Sequence, residues 1–463
     1  MVTLEEPAQK KGSRRSRRAV IGLLAVVGVL GLAVATGTLR AHQSTGPAPT
    51  DQPTAPAGQA TIQVTIDRTA ARQVATLATG ATHGQYSLDP WGKPAAISRG
   101  EALLSESTRY QAQHIYGFGA LNPEPRRGHF DWASLDRRVA LMRSMGAAPV
   151  ITLCCAPDWM TSLGTPTSTY PQLPPSPEHI ADFAQLARDV ALRYRDVKHF
   201  QVWNELKGYW DPNRQNWDYA AYTDLYNAVY DALKGVDPTI QVGGPYLVIE
   251  GSGDPLSDRN MAVIGYWLGH AHGADFISLS HRIVPWDDPT TPANDQVLQS
   301  TDQFGLIQRQ IRQKTSLPIW WSEDYADAKP ARLNNADHNY QAVALASMLY
   351  HEEMDGAAAS FRFQPQGVAG RPYEGDQESL FSDTRHDNGG KPFPANDAYR
   401  FFNQEFPPGT PLYGATSSSP DVEVLASKTD TLLINKRPVP VAVDLDGRTV
   451  TLGRYEVHLF TPG

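Results

Sequence analysis

The chain has 463 residues, 41% apolar and 19% charged, which is enough to bury one large core with a satellite and excludes a globally disordered protein. The net charge is −8, and six basic residues before position 19 (Lys10, Lys11, Arg14, Arg15, Arg17, Arg18) face only Glu5 and Glu6 there, so the rest is more acidic still. An acidic body argues against a nucleic-acid partner, because phosphate neutralisation needs a basic face.

Residues 1–18 read as a basic cytoplasmic tail. The uncharged apolar run Ala19–Ala35 follows, at the short end for a membrane-spanning helix, and we expect a transmembrane signal anchor over residues 19–36. The rival reading is a cleaved signal with a small-residue site at Ala33-Val34-Ala35, and the paired arginines hint at twin-arginine export. Either way the body works outside the cytoplasm. Residues 37–60, rich in Thr, Pro, Ala, Gly and Gln, read as a flexible linker. Residues 61–70 hold a strand able to dock on the C-terminal unit.

From residue 71 to 408, short apolar strands alternate with amphipathic helices. Strands are expected at Val74–Thr82, around Gln113–Gly117, at Pro149–Leu153, Phe200–Trp203, Ile240–Pro245, Phe276–His281, Pro318–Ser322 and Ala357–Phe363. Helical spacing separates them, as in Ile180, Phe183, Leu186, Ala187 and Val190 behind the Ser176-Pro177 start signal. Eight such alternations specify an α/β fold, a (β/α)8 TIM barrel. A doubly wound sheet would want a Gly-rich phosphate turn after its first strand, and none is present. Residues 409–463 switch to short alternating strands and read as a small β-sandwich-like domain.

Two cysteines, Cys154 and Cys155, are adjacent, and neighbouring side chains on a strand point to opposite faces. They are expected to be buried thiols. No metal-ligating cluster is apparent, so no cofactor is expected.

The chemistry is carried by two strand ends. Phe200-Gln201-Val202-Trp203-Asn204-Glu205 closes the fourth strand and Ile319-Trp320-Trp321-Ser322-Glu323 the seventh. Barrel enzymes place catalytic groups at the C-terminal ends of strands. Two carboxyl groups in one pocket are the equipment for glycoside hydrolysis, one as proton donor and the other as nucleophile or base. A single glutamate at a strand end is more often merely solvated; the pair, each behind aromatic bulk, favours chemistry.

Tyr116-Gly117-Phe118-Gly119, Phe130-Asp131-Trp132, Trp203-Asn204-Glu205 and Ser322-Glu323 resemble the clan A glycoside hydrolases, most closely family 39, with its β-xylosidases and α-iduronidases. The resemblance spans roughly residues 70–400. It implies retention of configuration, with Glu205 as acid/base, Glu323 as nucleophile and Asn204 on the sugar 2-hydroxyl. It also places His281 near the nucleophile. Further candidates for the pocket are His83 and His114 at early strand ends, Tyr325 after the nucleophile, and Trp159, Trp210, Trp286 and Trp321 beside the strand mouths. Lys207 and Arg282 are candidates for a carboxylate on an acidic sugar. The sequence departs from the family pattern at Leu206-Lys207, Ile283 and Asp324.

The expected protein is therefore an exported, membrane-tethered retaining glycosidase acting on a plant or cell-envelope saccharide. The competing reading is a catalytically silent carbohydrate-binding or envelope protein on the same barrel. A weaker third reading is a lytic factor acting on the cell's own envelope.

Overall fold

The computed structural model describes residues 60–461 apart from 86, 89, 164–172, 251–255, 285–291, 327–336 and 368–378. The expected tail, signal anchor, most of the linker, and Trp286 lie outside the described residues.

Strand β1 (Ile62–Val74) precedes a closed barrel. The barrel begins with β2 (Ala78–His83), β3 (Tyr110–His114), β4 (Ala148–Leu153) and β5 (His199–Val202). A small ribbon, β6 (Trp210–Asp211) and β7 (Asn216–Trp217), interrupts it. The barrel resumes with β8 (Gln241–Glu250), β9 (Phe276–Arg282), β10 (Ile319–Tyr325) and β11 (Ala359–Phe363). Each strand is parallel to its neighbours, and β11 closes on β2. The expected eight-stranded fold is what forms, with shifted ends. Val74 belongs to β1, and the fifth barrel strand runs past Pro245 to Glu250.

Helices surround the barrel: α1 (Pro94–Ser107), α2 (Ala133–Ser144), α3 (Ile180–Arg193), α4 (Tyr219–Lys234), α5 (Asp258–His270), α6 (Asn294–Gln299), α7 (Gln303–Arg312), α8 (His338–Met354) and α9 (Pro394–Gln404). Side chains fix several starts: Asp218 accepts from Ala221 N–H, Ser257 from Asn260 N–H and Asp337 from Tyr340 N–H.

Strand side chains alternate between two faces. At the floor of the barrel the inward residues are Ala112, Val150, Phe276, Trp320, Ala359 and Phe361. This layer needs a glycine at 243, where an added Cβ would come within 2.0 Å of the Phe276 ring. Outward residues such as Phe200, Val202, Ile277 and Leu279 join the helices in the main core.

The C-terminal unit comprises β12 (Pro411–Ser417), β13 (Val422–Ala426), β14 (Thr431–Asn435), β15 (Val441–Leu445), β16 (Arg448–Leu452) and β17 (Glu456–Phe460). Two sheets form, β12-β1-β15-β16 and β13-β14-β17, packed over Ile62, Val64, Val422, Val424, Leu433 and Val443. The N-terminal strand β1 pairs with β12 and β15 and so lies within this unit.

Cys154 and Cys155 correct one expectation. They are joined to each other as a disulfide rather than left as thiols. The peptide between them is cis, with the Cα atoms 2.9 Å apart, and both side chains are buried in the main core.

Helix α8 is buried nearly all round, between the barrel and the sandwich. Glu353 near its end accepts from Thr76 N–H at 3.0 Å and Leu77 N–H at 2.9 Å, the link between β1 and β2. Burial raises this carboxyl from 4.5 to about 7, although the two backbone donors oppose the shift. Between those values the unfolded chain releases the proton and the folded one keeps it, so stability falls as pH rises through the interval. Glu353→Gln removes this titration. Its melting temperature relative to wild type should climb across the same interval, and a flat difference in calorimetry would contradict the assignment.

Candidate active site

The turn after β5 is where the chain leaves regular geometry. Trp203, Glu205 and Leu206 have positive φ (71°, 49° and 50°), unfavourable for non-glycine residues and held only where packing over-determines them. Here the anchor is Trp203. It is fully buried, edge-on to Phe183 and Tyr209, and its indole N–H donates to Lys207 O at 2.7 Å. Lys207 N–H donates in turn to Asn204 O at 3.0 Å. The result aims Glu205 into the barrel mouth.

Glu205 is 4% exposed. Its Oε1 accepts from Ser280 Oγ at 2.9 Å and from Arg282 at 3.0 Å, both on β9. Its Oε2 pairs with Lys207 Nζ at 2.8 Å. Burial alone would raise this carboxyl, but Lys207 and Arg282 prevail and lower it to about 2.

Glu323 is 5% exposed on β10. The Tyr325 hydroxyl donates to its Oε1, and the Tyr246 hydroxyl to its Oε2 at 3.3 Å. Two β-bulges create this arrangement. Against β9, β10 gains one residue between Trp321 and Glu323, and β8 gains one between Pro245 and Leu247. A bulge re-aims the side chains that follow it. Tyr246, the extra residue of β8, also donates to Ser322 O, the extra residue of β10, at 3.3 Å. Without the shift in β10, Glu323 would share the outward face of Trp321. Burial, then the neighbouring charge of Glu205, raise the Glu323 carboxyl, with Lys207 and Arg282 opposing. Both tyrosines are pushed well above the usual phenol range by burial and the Glu323 charge, so they remain donors.

His114 faces inward from β3, stacked on Phe118 with ring centroids 4.2 Å apart. Burial, helped by the Lys207 charge, holds it down to about 3 and therefore neutral. Asn204 is also fully buried, and neither its amide nor the His114 ring makes a well-formed hydrogen bond among the described residues.

Glu205, Glu323, Asn204, His114 and Tyr325 thus come together as expected positions. Four others do not. His281 alternates out of phase with Ser280 and Arg282. It points away from the pocket, donates from Nδ1 to Ile249 O at 2.9 Å and packs edge-on to Phe304. Trp321 also faces outward, donating to Gln308 of α7 at 3.0 Å. His83 lies on the outer side of β2, paired with Ser87 and Gln111. Trp159 stands at the rim, donating to Glu124 O, with Arg127 over its ring. Trp210 is on the exposed ribbon against Arg259. Lys207 and Arg282 are engaged by Glu205 itself. Sequence reasoning missed Tyr246, because the strand was expected to end at Pro245. It also missed Ser280, which the i, i+2 alternation with Arg282 could have revealed.

A closed parallel barrel with two buried glutamates at the C-terminal ends of its fourth and seventh strands defines the barrel glycoside hydrolases as a class. Solved structures of like fold include a monomeric β-xylosidase from Caulobacter crescentus CB15, 17% identical, with a TM-score of 0.57 and 83% of each chain covered. The GH39 enzyme from Xanthomonas axonopodis pv. citri is 17% identical, with a TM-score of 0.58, covering 86% of this chain and 83% of that one. A conserved exported protein from Bacteroides fragilis is 11% identical, with a TM-score of 0.61, covering 86% and 98%. No curated protein matches the sequence. The model of the glycosyl hydrolases family 39 matches residues 119–365, more than half the chain, and the chain belongs to that family.

The placement of His281 is testable. Truncating an outward, fully buried and hydrogen-bonded ring should act on the fold. His281→Ala should lose about 2–4 kcal/mol in urea unfolding and leave sugar binding by the folded fraction unchanged. A stable variant with weakened sugar binding would place the ring in the pocket instead.

Proposed function

We propose that the protein is an exported retaining O-glycoside hydrolase, β-xylosidase-like in its chemistry, acting on a plant or cell-envelope oligosaccharide or polysaccharide. The observation that carries this reading is the pair of buried carboxyl groups, Glu205 from the turn after β5 and Glu323 from β10, with the charges of Lys207 and Arg282 acting on both. In the first step Glu323 attacks the anomeric carbon while Glu205 gives a proton to the leaving oxygen. In the second, Glu205 takes a proton from water as that water displaces Glu323 from the sugar. A nucleophilic role calls for carboxyl groups about 5–5.5 Å apart. Tyr246 and Tyr325 hold Glu323 in one orientation, and Asn204 offers its amide to the sugar beside the reacting carbon. Export, with a membrane tether, is supported by the apolar run Ala19–Ala35 behind its basic flank.

A second reading, a catalytically silent carbohydrate-binding protein, draws on one observation. Glu205 is held as a carboxylate by Lys207 and Arg282, whereas a proton donor must carry a proton.

On an aryl glycoside that the protein turns over, Glu205→Gln should reduce kcat by about 10²–10⁴-fold, the range of an acid–base contribution, and Glu323→Gln by at least as much, since it removes the nucleophile. Azide should rescue Glu323→Ala with a glycosyl azide of inverted configuration. Full activity in both glutamine variants would remove the two-carboxylate mechanism. Glycan binding without hydrolysis by the wild type would establish the silent reading.

A further inference from the structure

A second hollow lies where the last turn of α8 meets β12 and β13. It is a cavity of about 540 Å³, the size of a small-ligand site, walled in part by Tyr350, His351, Ser417, Glu423 and Lys436. A neighbouring cavity of about 350 Å³ shares Tyr350, Ala415 and Val424 with it and continues past Tyr413. Together they follow the seam between helix and sandwich. From Tyr413 to Ser417 β12 advances four residues, about 13 Å at ~3.3 Å each, longer than any single ring. Helix α8 carries the chain from the end of β10 back to the start of β11, so its last turn lies at the floor of the barrel. Glu353 in that turn holds the link into β2. The seam is therefore at the end remote from Glu205 and Glu323.

The walls select the chemistry of an occupant. Glu423 is 8% exposed and Lys436 9%. Glu423 Oε1 takes both hydrogen bonds, from Lys436 Nζ at 2.6 Å and from His351 Nε2 at 3.0 Å. Its other oxygen, Oε2, is buried and accepts no hydrogen bond among the described residues, although Glu423 lines the cavity. A buried acceptor in that state is costly, and a donor brought in by a ligand would satisfy it. Each lining cation among the described residues already has a carboxylate partner: Lys436 and His351 have Glu423, and Arg72 has Asp67 at 3.8 Å. An anion is therefore poorly received, and a cation would come against the buried Lys436 ammonium. A neutral ligand rich in hydroxyl groups suits these walls. It has donors for Glu423 Oε2 and for the exposed Asp302 carboxylate, and its C–H faces match Val422, Val424 and the rings of Tyr350 and Tyr413.

We propose that the seam between α8 and the sandwich is a second saccharide-binding site, which takes a segment of an uncharged oligosaccharide and holds it at the floor of the barrel. A glycan held there is too far from the carboxyl pair to be cleaved by it. The site tethers the protein to a polymer while the mouth stays open to another chain or to another stretch of the same one. This inference does not rest on the glycosidase reading, because none of its residues belongs to the mouth.

Hydrogen–deuterium exchange on the full chain tests it, with xylohexaose and cellohexaose as neutral probes at millimolar concentration. At least one should protect peptides covering β12, β13 and the last turn of α8, and this protection should persist in Glu205→Gln. Ala415→Trp puts bulk where the two cavities meet and should weaken the protecting interaction by about tenfold or more, as should Asp302→Ala, which removes one hydrogen-bond acceptor. Asp302→Ala, on an exposed turn, decides the matter if Ala415→Trp does not fold. Hydrolysis of a short aryl glycoside should be unchanged in both, so failure of the seam and failure of the catalytic reading are seen separately. Absence of protection at the seam with both neutral probes would overturn the proposal. So would equal affinity in wild type and in the folded seam variants, or protection there by polygalacturonate or a glucosamine oligomer instead of the neutral chains.

Discussion

Two carboxyl groups, 4% and 5% exposed, are held inside the mouth of a closed barrel, and the architecture of the site follows from compensating them. A buried carboxylate is strongly unfavourable unless paired and hydrogen-bonded. Glu205 is compensated by two cations and a hydroxyl, Glu323 by two phenols. The compensating groups come from β8, β9, β10 and the turn after β5, so only closure of the barrel assembles them. The asymmetry between cations and phenols separates the two acids electrostatically, although both are glutamates at strand ends.

Regular alternation would not place these groups together. The β10 bulge moves Glu323 to the inward face, and the β8 bulge turns Tyr246 to meet it. The left-handed backbone at Trp203, Glu205 and Leu206 aims the other acid. Each irregularity is held by a packed or hydrogen-bonded neighbour: the Trp203 indole on Lys207 O, and the Tyr246 hydroxyl on Ser322 O. Departures from ideal geometry are concentrated where the functional side chains are, as expected when local rules yield to a site.

The sandwich contributes to the same barrel indirectly. Helix α8 has almost no solvent face because the barrel covers one side and β14 and β17 approach the other. That double covering buries Glu353 and lets it bind the backbone of the link between β1 and β2. The satellite and the barrel are thereby joined through a carboxyl group whose charge state depends on pH.

The strand–helix order, the eight strands and the two strand-end glutamates were legible in the sequence, because apolar runs of strand length and helical repeats are local signals. Glu205 and Glu323 could be named for the same reason, whereas Asn204 and Tyr325 were named through the resemblance to family 39. Which face each side chain takes was decided only by tertiary structure. His281 was assigned to the pocket by the resemblance and Trp321 by nearness to a strand end, yet the register of β9 and of β10 turns them toward the helices. Lys207 stood out in the sequence as a departure, but nothing local tied it to Glu205, and the bond between Cys154 and Cys155 had no signal beyond adjacency. The amino-acid order determined which segments are strands, since that depends on residues a few places apart. The phase of each strand and the charge partner of each acid depended on contacts between segments distant in the chain, and these exist only once the barrel has closed.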